Sequence, residues 1–139
     1  MGSRVVIQWS DAYRIGNARI DAEHQIFLGL IADFQSQRLQ SAPQARLNRI
    51  LQEVLKYAEF HFLSEENLMI DCGYPGLTEH RLHHMHLLSR AGVKLHEMEL
   101  GLCTPEEVEA FLLDWFLTHT RSEDQKIVEY LQASGPAAG

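Results

Sequence analysis

Residues 78–88, TEHRLHHMHLL, place four histidines within about two helical turns. A helix advances about 100° per residue, so His80 and His84 lie about 40° apart, on the face that the neighbouring leucines share. His83 and His86 share their faces with charged residues, and we expect both to be flank or surface residues in contact with solvent. The stretch therefore predicts an amphipathic helix that directs two of its four histidines into a protein core.

Three further blocks of the chain repeat this pattern of an apolar stripe that includes a histidine. The blocks are separated by the breaker sequences SAP, CGYPG and GLCTP, and strand patterns are nearly absent after the N-terminal segment. The four stripes comprise Ile20, His24, Phe27, Ile31 and Phe34; Leu47, Leu51, Val54, Ala58, His61, Glu65 and Leu68; Leu77, His80, His84, Leu87, Leu88, Ala91 and Leu95; and Val108, Phe111, Leu112, Trp115 and His119.

These stripes predict an all-α fold. Short connections between long amphipathic helices favour antiparallel neighbours, which gives an antiparallel up-down-up-down four-helix bundle. Thr104, Pro105 and Glu107 predict the start of the fourth helix, because together they form a capping box with proline in the first turn. The N-terminal segment, with Trp9 and Tyr13, is expected to form an irregular arm over one side of the bundle.

The length and charge of the chain restrict its class. Its 139 residues are enough for one domain, which we assign to residues 1–132, with 133–139 as a flexible tail. Twelve basic and nineteen acidic residues give a net charge of −7, so we expect no nucleic acid partner and no attraction to anionic membranes. With no membrane span or signal peptide in this sequence, we expect a cytoplasmic protein in which Cys72 and Cys103 stay reduced.

Several polar side chains share these apolar stripes, and burying one without a partner costs on the order of 2–7 kcal/mol. A bound metal ion removes that cost, since imidazole and carboxylate are natural ligands for iron, zinc or manganese in bundle cores. The donors exceed what one tetrahedral ion takes, which favours two ions that share carboxylates. The inward-facing polar residues are His24, His61, Glu65, His80, His84 and His119.

The chain resembles the bacteriohaemerythrins, bacterial relatives of the non-haem oxygen carriers of marine worms. The resemblance runs from Trp9 to about Tyr130 through the segments IGNARIDAEH, HFLSEE, YPGLTEHRLHH and WFLTHTRSED, in order and at family-like separations. It implies two non-haem iron ions bridged by an oxo or hydroxo group, with dioxygen as the ligand of the iron that keeps an open position. The implied ligands are His80, His84 and His119 for one iron, His24 and His61 for the other, and Glu65 and Asp124 as bridges.

The resemblance also implies an apolar pocket beside the metals, formed by Phe62, Trp115 and Phe116. Such a pocket limits the access of water and protons, which would otherwise promote autoxidation. The family usually has isoleucine directly after the histidine of the fourth helix, whereas this chain has Thr120. We therefore expect the hydroxyl of Thr120 to speed autoxidation.

Two acids compete for the second bridging position. In an ideal helix Glu123 lies about 40° from His119 and Asp124 about 140° away, so helical geometry selects Glu123. The resemblance selects Asp124. A helix that restarts at Ser122, or one that widens through a π-type turn, would reconcile the two, and we favour Asp124.

The leading functional hypothesis is reversible dioxygen binding for carriage, storage or delivery, without enzymatic activity. The alternatives are an oxygen-sensing or redox-sensing domain of a larger signalling protein and a di-iron enzyme that acts on peroxide or nitric oxide. Two carboxylates stabilise high oxidation states of iron less than the four of ferritin-like sites, which favours carriage. The expected partners are dioxygen and an unidentified protein acceptor or signalling partner.

Overall fold

The computed structural model describes residues 7–134, and every regular element within that range is helical. A short 3₁₀ turn precedes four long helices, and the fourth continues through a π turn into a further helix. The elements are the 3₁₀ turn Asp11–Tyr13, α1 Ala18–Leu39, α2 Gln44–Cys72, α3 Leu77–Glu99, α4 Pro105–His119, the π turn Thr120–Asp124 and α5 Gln125–Ser134.

The helices form the predicted antiparallel bundle. Helix α1 packs against α2 and α4, and α3 packs against the same two helices, so the four surround one core. Helix α5 runs to Ser134, which is two residues into the predicted tail. The rest of that tail, residues 135–139, and the first six residues of the chain lie outside the described range.

Local sequence signals set the ends of the helices. The predicted capping box at α4 is confirmed, because the Glu107 amide donates to Thr104 Oγ1 and the Thr104 amide donates to the Glu107 carboxylate. Asn17 caps α1 through its side chain, which accepts from the Ile20 amide. Helix α2 ends at Gly73 with a φ of 70°, a left-handed conformation that glycine adopts without strain.

The predicted stripes form the core. Phe34, Leu51, Val54 and Leu112 are completely buried at the end of the bundle away from the histidines. Five stripe residues lie at the margin of the core and are only half-buried: Leu68, Leu77, Leu88, Leu95 and Phe111.

The N-terminal arm packs over one side of the bundle, as predicted. The Ile7 amide donates to Gln35 Oε1 of α1 at 2.8 Å, which ties the start of the arm to the first helix. Trp9 and Tyr13 have ring centroids 5.7 Å apart, and the Tyr13 ring meets Phe116 of α4 edge-on at 6.4 Å. The arm thus covers the helix face that carries Phe116.

Candidate metal centre

The seven residues predicted as ligands lie together at the centre of the bundle, and each is at most 4% exposed. Their donor atoms form two groups, within each of which all atoms lie within 4.8 Å of one another. Glu65 and Asp124 belong to both groups. The first group adds His80, His84 and His119, and the second adds His24 and His61.

Each shared carboxylate divides its two oxygens between the two groups. Glu65 Oε1 lies 2.9 Å from His84 Nε2 and 3.4 Å from His119 Nε2, whereas Oε2 lies 3.2 Å from His61 Nε2. Asp124 Oδ1 lies 2.9 Å from His119 Nε2, and its Oδ2 lies 2.8 Å from His24 Nε2. This is the arrangement of two carboxylates that bridge two neighbouring cations.

Several of these buried atoms make no hydrogen bond with any described residue, although they lie close to one another. They include Glu65 Oε2, Asp124 Oδ1 and the Nε2 atoms of His61 and His80. Buried polar atoms without partners are rare in native proteins, because each carries a desolvation cost. Cations coordinated by these atoms would remove that cost, so the donor set fits bound metal.

Without metal, the cluster is held together by charge. Burial alone would lower the pKa of His119, but its contacts with the Asp124 and Glu65 carboxylates together outweigh burial and raise that pKa to about 10. The pKa of His61 rises to about 9 for the same reason, chiefly because of Glu65. Burial and the charge of Glu65 oppose ionisation of Asp124, but its contacts with His119 and His24 prevail and lower its pKa to about 2. Protons therefore hold positive charge where metal ions would.

Two glutamates that the sequence reasoning missed support the outer nitrogens of the histidines. His61 Nδ1 donates to Glu23 Oε1 at 2.8 Å, and the Ser64 hydroxyl donates to the other oxygen of Glu23 at 2.7 Å. His84 Nδ1 donates to Glu66 Oε2 at 2.9 Å. Such contacts fix the ring orientation of a metal-ligating histidine and increase its basicity. Both glutamates directly adjoin predicted ligands in the sequence, which is the signal that could have identified them.

The π turn gives the two acids of the last segment different positions. The turn inserts extra backbone after His119, so Asp124 is completely buried and faces the centre. The restart at Ser122 is wrong, because its hydroxyl donates to the Thr118 carbonyl at 2.6 Å instead of capping a new helix. Glu123 lies at the side of the helix, 3.3 Å from the Lys126 ammonium.

The prediction for His83 is wrong in part. Its ring is half-buried and stacks on His119, with centroids 5.1 Å apart and planes inclined by 21°. Helix α4 packs beside this flank of α3. The apolar stripe of α3 alone does not show that contact. Burial and then the positive charge of His119 lower the pKa of His83. His86 is exposed, as predicted.

A small cavity of about 10 Å³ lies against the metal cluster. A cavity of this volume holds about one molecule the size of water. The predicted pocket residues all line it. Trp115 is fixed by its indole nitrogen, which donates to the Leu87 carbonyl at 3.1 Å, and Phe62 stacks on the His84 ring at 4.0 Å. The complete lining is His24, Phe27, His61, Phe62, Trp115, Phe116, His119 and Thr120.

The hydroxyl of Thr120 is already engaged. It donates to the Phe116 carbonyl at 2.7 Å, one turn earlier in the same helix, and the residue is 3% exposed. Phe27 was not predicted as a pocket residue, although it belongs to the first apolar stripe. Its ring meets those of Trp115 and Phe116 at 5.4 and 5.5 Å.

Comparisons with known proteins show which proteins this chain is similar to. The family model described as "Hemerythrin HHE cation binding domain" matches residues 16–131. A Bacteriohemerythrin of Ralstonia nicotianae is 28% identical over 96% of this chain and 94% of its own length. A Bacteriohemerythrin of Stenotrophomonas maltophilia is 26% identical and covers 92% of this chain and 83% of its own length. A Myohemerythrin of Riftia pachyptila is 25% identical and covers 85% and 88%, respectively.

Solved structures show the same fold. A crystal structure of a hemerythrin variant superposes with a TM-score of 0.80 at 18% identity and covers 92% of this chain and 98% of that chain. Wild-type hemerythrin gives a TM-score of 0.76 at 19% identity and covers 87% and 94%. Within residues 7–134, none of the helices is long and apolar enough to cross a membrane. With this match and its buried histidines and carboxylates, the chain belongs to the haemerythrin family and is a haemerythrin-type iron-binding protein.

Proposed function

We propose that this protein binds dioxygen reversibly at a centre of two non-haem iron ions, for carriage, storage or delivery. The observation that carries the proposal is the division of the Glu65 and Asp124 oxygens between two groups of histidines. One iron would be held by His80, His84 and His119 and the other by His24 and His61, with both carboxylates and an oxo or hydroxo group as bridges.

The number of donors supports an open coordination position. The first group offers three imidazoles and two carboxylate oxygens, and the bridging oxygen would complete six ligands. The second group offers one imidazole fewer, so its metal would have five ligands. The two iron ions would each supply one electron, reversibly, to a bound dioxygen. The side of the centre with fewer histidines is therefore the proposed binding side.

The cavity supports the same assignment. His24 and His61, which belong to the group with fewer donors, both contribute to its lining, and aromatic rings form most of the remainder. About one small molecule fits, and the aromatic walls exclude the additional water that would deliver protons. The protein thus provides an apolar position of about the size of one water molecule beside the iron that we propose to be open.

The donor set also supports binding without turnover. Two carboxylates reach the centre, whereas ferritin-like di-iron sites use four, and fewer anionic ligands stabilise high oxidation states less. Cleavage of the oxygen–oxygen bond is then disfavoured. We propose that the protein is a dioxygen carrier and not an enzyme.

The test is an absorption spectrum of the iron-loaded protein, reduced without oxygen, then exposed to air, then returned to an oxygen-free atmosphere. We expect charge-transfer bands that appear with air and disappear when oxygen is removed, with about two irons per chain. The metal-free protein is the control and should show no bands. Bands that persist after oxygen removal, or continuous oxygen consumption with an added reductant, would contradict carriage.

A further inference from the structure

A long groove runs between α2 and α3, displaced along these helices from their predicted metal ligands: its lining lies at residues 46–59 and 88–95, whereas those ligands lie at 61–65 and 80–84. Its volume is about 700 Å³, far larger than the cavity beside the cluster. Leu55 of α2 and Leu88 and Leu95 of α3 are half-buried and form its apolar floor. The established fold and the proposed oxygen site leave this surface without a role.

Gly92 lies beside the floor of the groove. It lies between Leu88 and Leu95 on the same face of α3, four residues after one and three before the other. A Cβ added at Gly92 would meet no atom within 4 Å, so the space above this position is free. Glycine lowers helix stability by about 1 kcal/mol relative to alanine, yet here it occupies a helix interior without any close backbone contact.

The rim of the groove is basic at one end. Arg46 and Arg49 line it, and neither forms an ion pair with any residue in the range 7–134. Lys56, further along α2, is paired with Glu59 at 3.2 Å. Glu53 also lines the groove, one turn after Arg49, but forms no ion pair with either arginine. The two guanidinium groups at this end are therefore free to bind an acidic ligand.

The dimensions fit a helix better than a small molecule. The lining residues of α2 run from Arg46 to Glu59, which corresponds to about 20 Å along the axis, or between three and four helical turns. Beyond that point Leu63 and Met85 are 57% and 65% exposed, so the apolar surface continues. We propose that this groove binds one amphipathic α-helix of a partner protein, with its apolar side chains on the leucine floor and its acidic side chains at Arg46 and Arg49.

The proposal is tested with a fluorescent synthetic helix of about 15 residues, which carries leucine at helical spacing and glutamate on the flanks. Its binding to the iron-loaded full-length protein is followed by fluorescence anisotropy. A matched peptide with lysine in place of each glutamate measures the contribution of charge. We expect the acidic peptide to bind about tenfold more tightly than the lysine peptide, and Arg46→Glu with Arg49→Glu to reverse this preference.

Gly92→Trp tests the floor, because an added Cβ here meets no atom within 4 Å and the indole attached to it would lie on the surface between Leu88 and Leu95. This variant should weaken the acidic peptide about tenfold and should not lower the melting temperature, since glycine is a poor helix former. Gly29→Trp is the control: Gly29 is an exposed glycine of α1 that also has no atom within 4 Å of an added Cβ, and it lies on another face.

Three results would overturn the proposal. The first is equal affinity for both peptides, and the second is unchanged binding in the Gly92→Trp variant. The third is self-association of the wild-type protein that Gly92→Trp abolishes, which would identify a second copy of this chain as the occupant of the groove.

Discussion

Replacing Asp124 by asparagine tests the π turn and the bridging role together. The substitution keeps the shape of the side chain but removes the charge that lies 2.8 Å from His24 Nε2 and 2.9 Å from His119 Nε2. Asp124 is completely buried, and removing one partner of a buried charged pair costs about 3–5 kcal/mol. For a chain of this length, the metal-free protein should melt about 10–20 °C lower.

Iron binding should respond more strongly than stability. Because each oxygen of Asp124 serves a different histidine group, its loss weakens both proposed iron positions, and we expect the content to fall from about two irons to fewer than one. Iron is measured with a colorimetric chelator after gel filtration, and melting is followed by circular dichroism.

The matched control is Glu123→Gln, one residue earlier. The Glu123 carboxylate forms a surface pair with Lys126, and such pairs contribute about 0–1 kcal/mol. This variant should therefore retain about two irons and melt within a few degrees of the wild type. Full iron content in Asp124→Asn together with iron loss in Glu123→Gln would refute both the bridging assignment and the register that the π turn sets.

Three further predictions concern the surroundings of the centre. Glu66→Gln removes the charged acceptor of His84 and should lower iron affinity by about 10–100-fold, measured by competition with a chelator. The exposed Glu59→Gln variant is the control and should keep the wild-type affinity. Equal iron affinities of the two variants would contradict a supporting role for Glu66. Thr120→Ile should slow the decay of the oxygenated absorption bands, because it replaces a hydroxyl beside the pocket with an apolar group that excludes water. The exposed Thr118→Ile variant is the control. An unchanged decay rate in Thr120→Ile would show that Thr120 does not control autoxidation. The pKa of His119 is about 10 in the metal-free protein, so iron binding at about pH 8 should release protons. The calorimetric heat of iron binding should therefore vary with the ionisation enthalpy of the buffer. A heat of binding that is the same in all buffers would contradict this.

Periodicity alone predicted the helices, because burial in a bundle repeats every three or four residues. His80 and His84 face the core as the stripe of α3 required, and the capping box of α4 begins where Thr104 indicated. These features depend on residues close together in one helix. Such local information is present in a single sequence without knowledge of the neighbouring helices.

Features that depend on contacts between helices were harder to predict. The stacking of His83 on His119 joins α3 to α4, and the contact of Glu23 with His61 joins α1 to α2. Ideal helical geometry also misplaced Asp124, because a π turn is too small a departure from regular winding to leave a clear sequence pattern. The family resemblance supplied the assignment that helical periodicity could not.

The position of α5 depends more on the number of residues in the π turn than on their identity. The number of residues in the turn sets the rotation of α5 about its axis, and in this rotation Ile127 and Val128 of α5 are buried. Deleting one residue between His119 and Asp124 would rotate α5 by about 100° and move both side chains toward solvent. An insertion would rotate it the other way. A substitution such as Glu123→Gln leaves α5 in place, whereas a change in the length of this segment displaces the Asp124 carboxylate together with Ile127 and Val128.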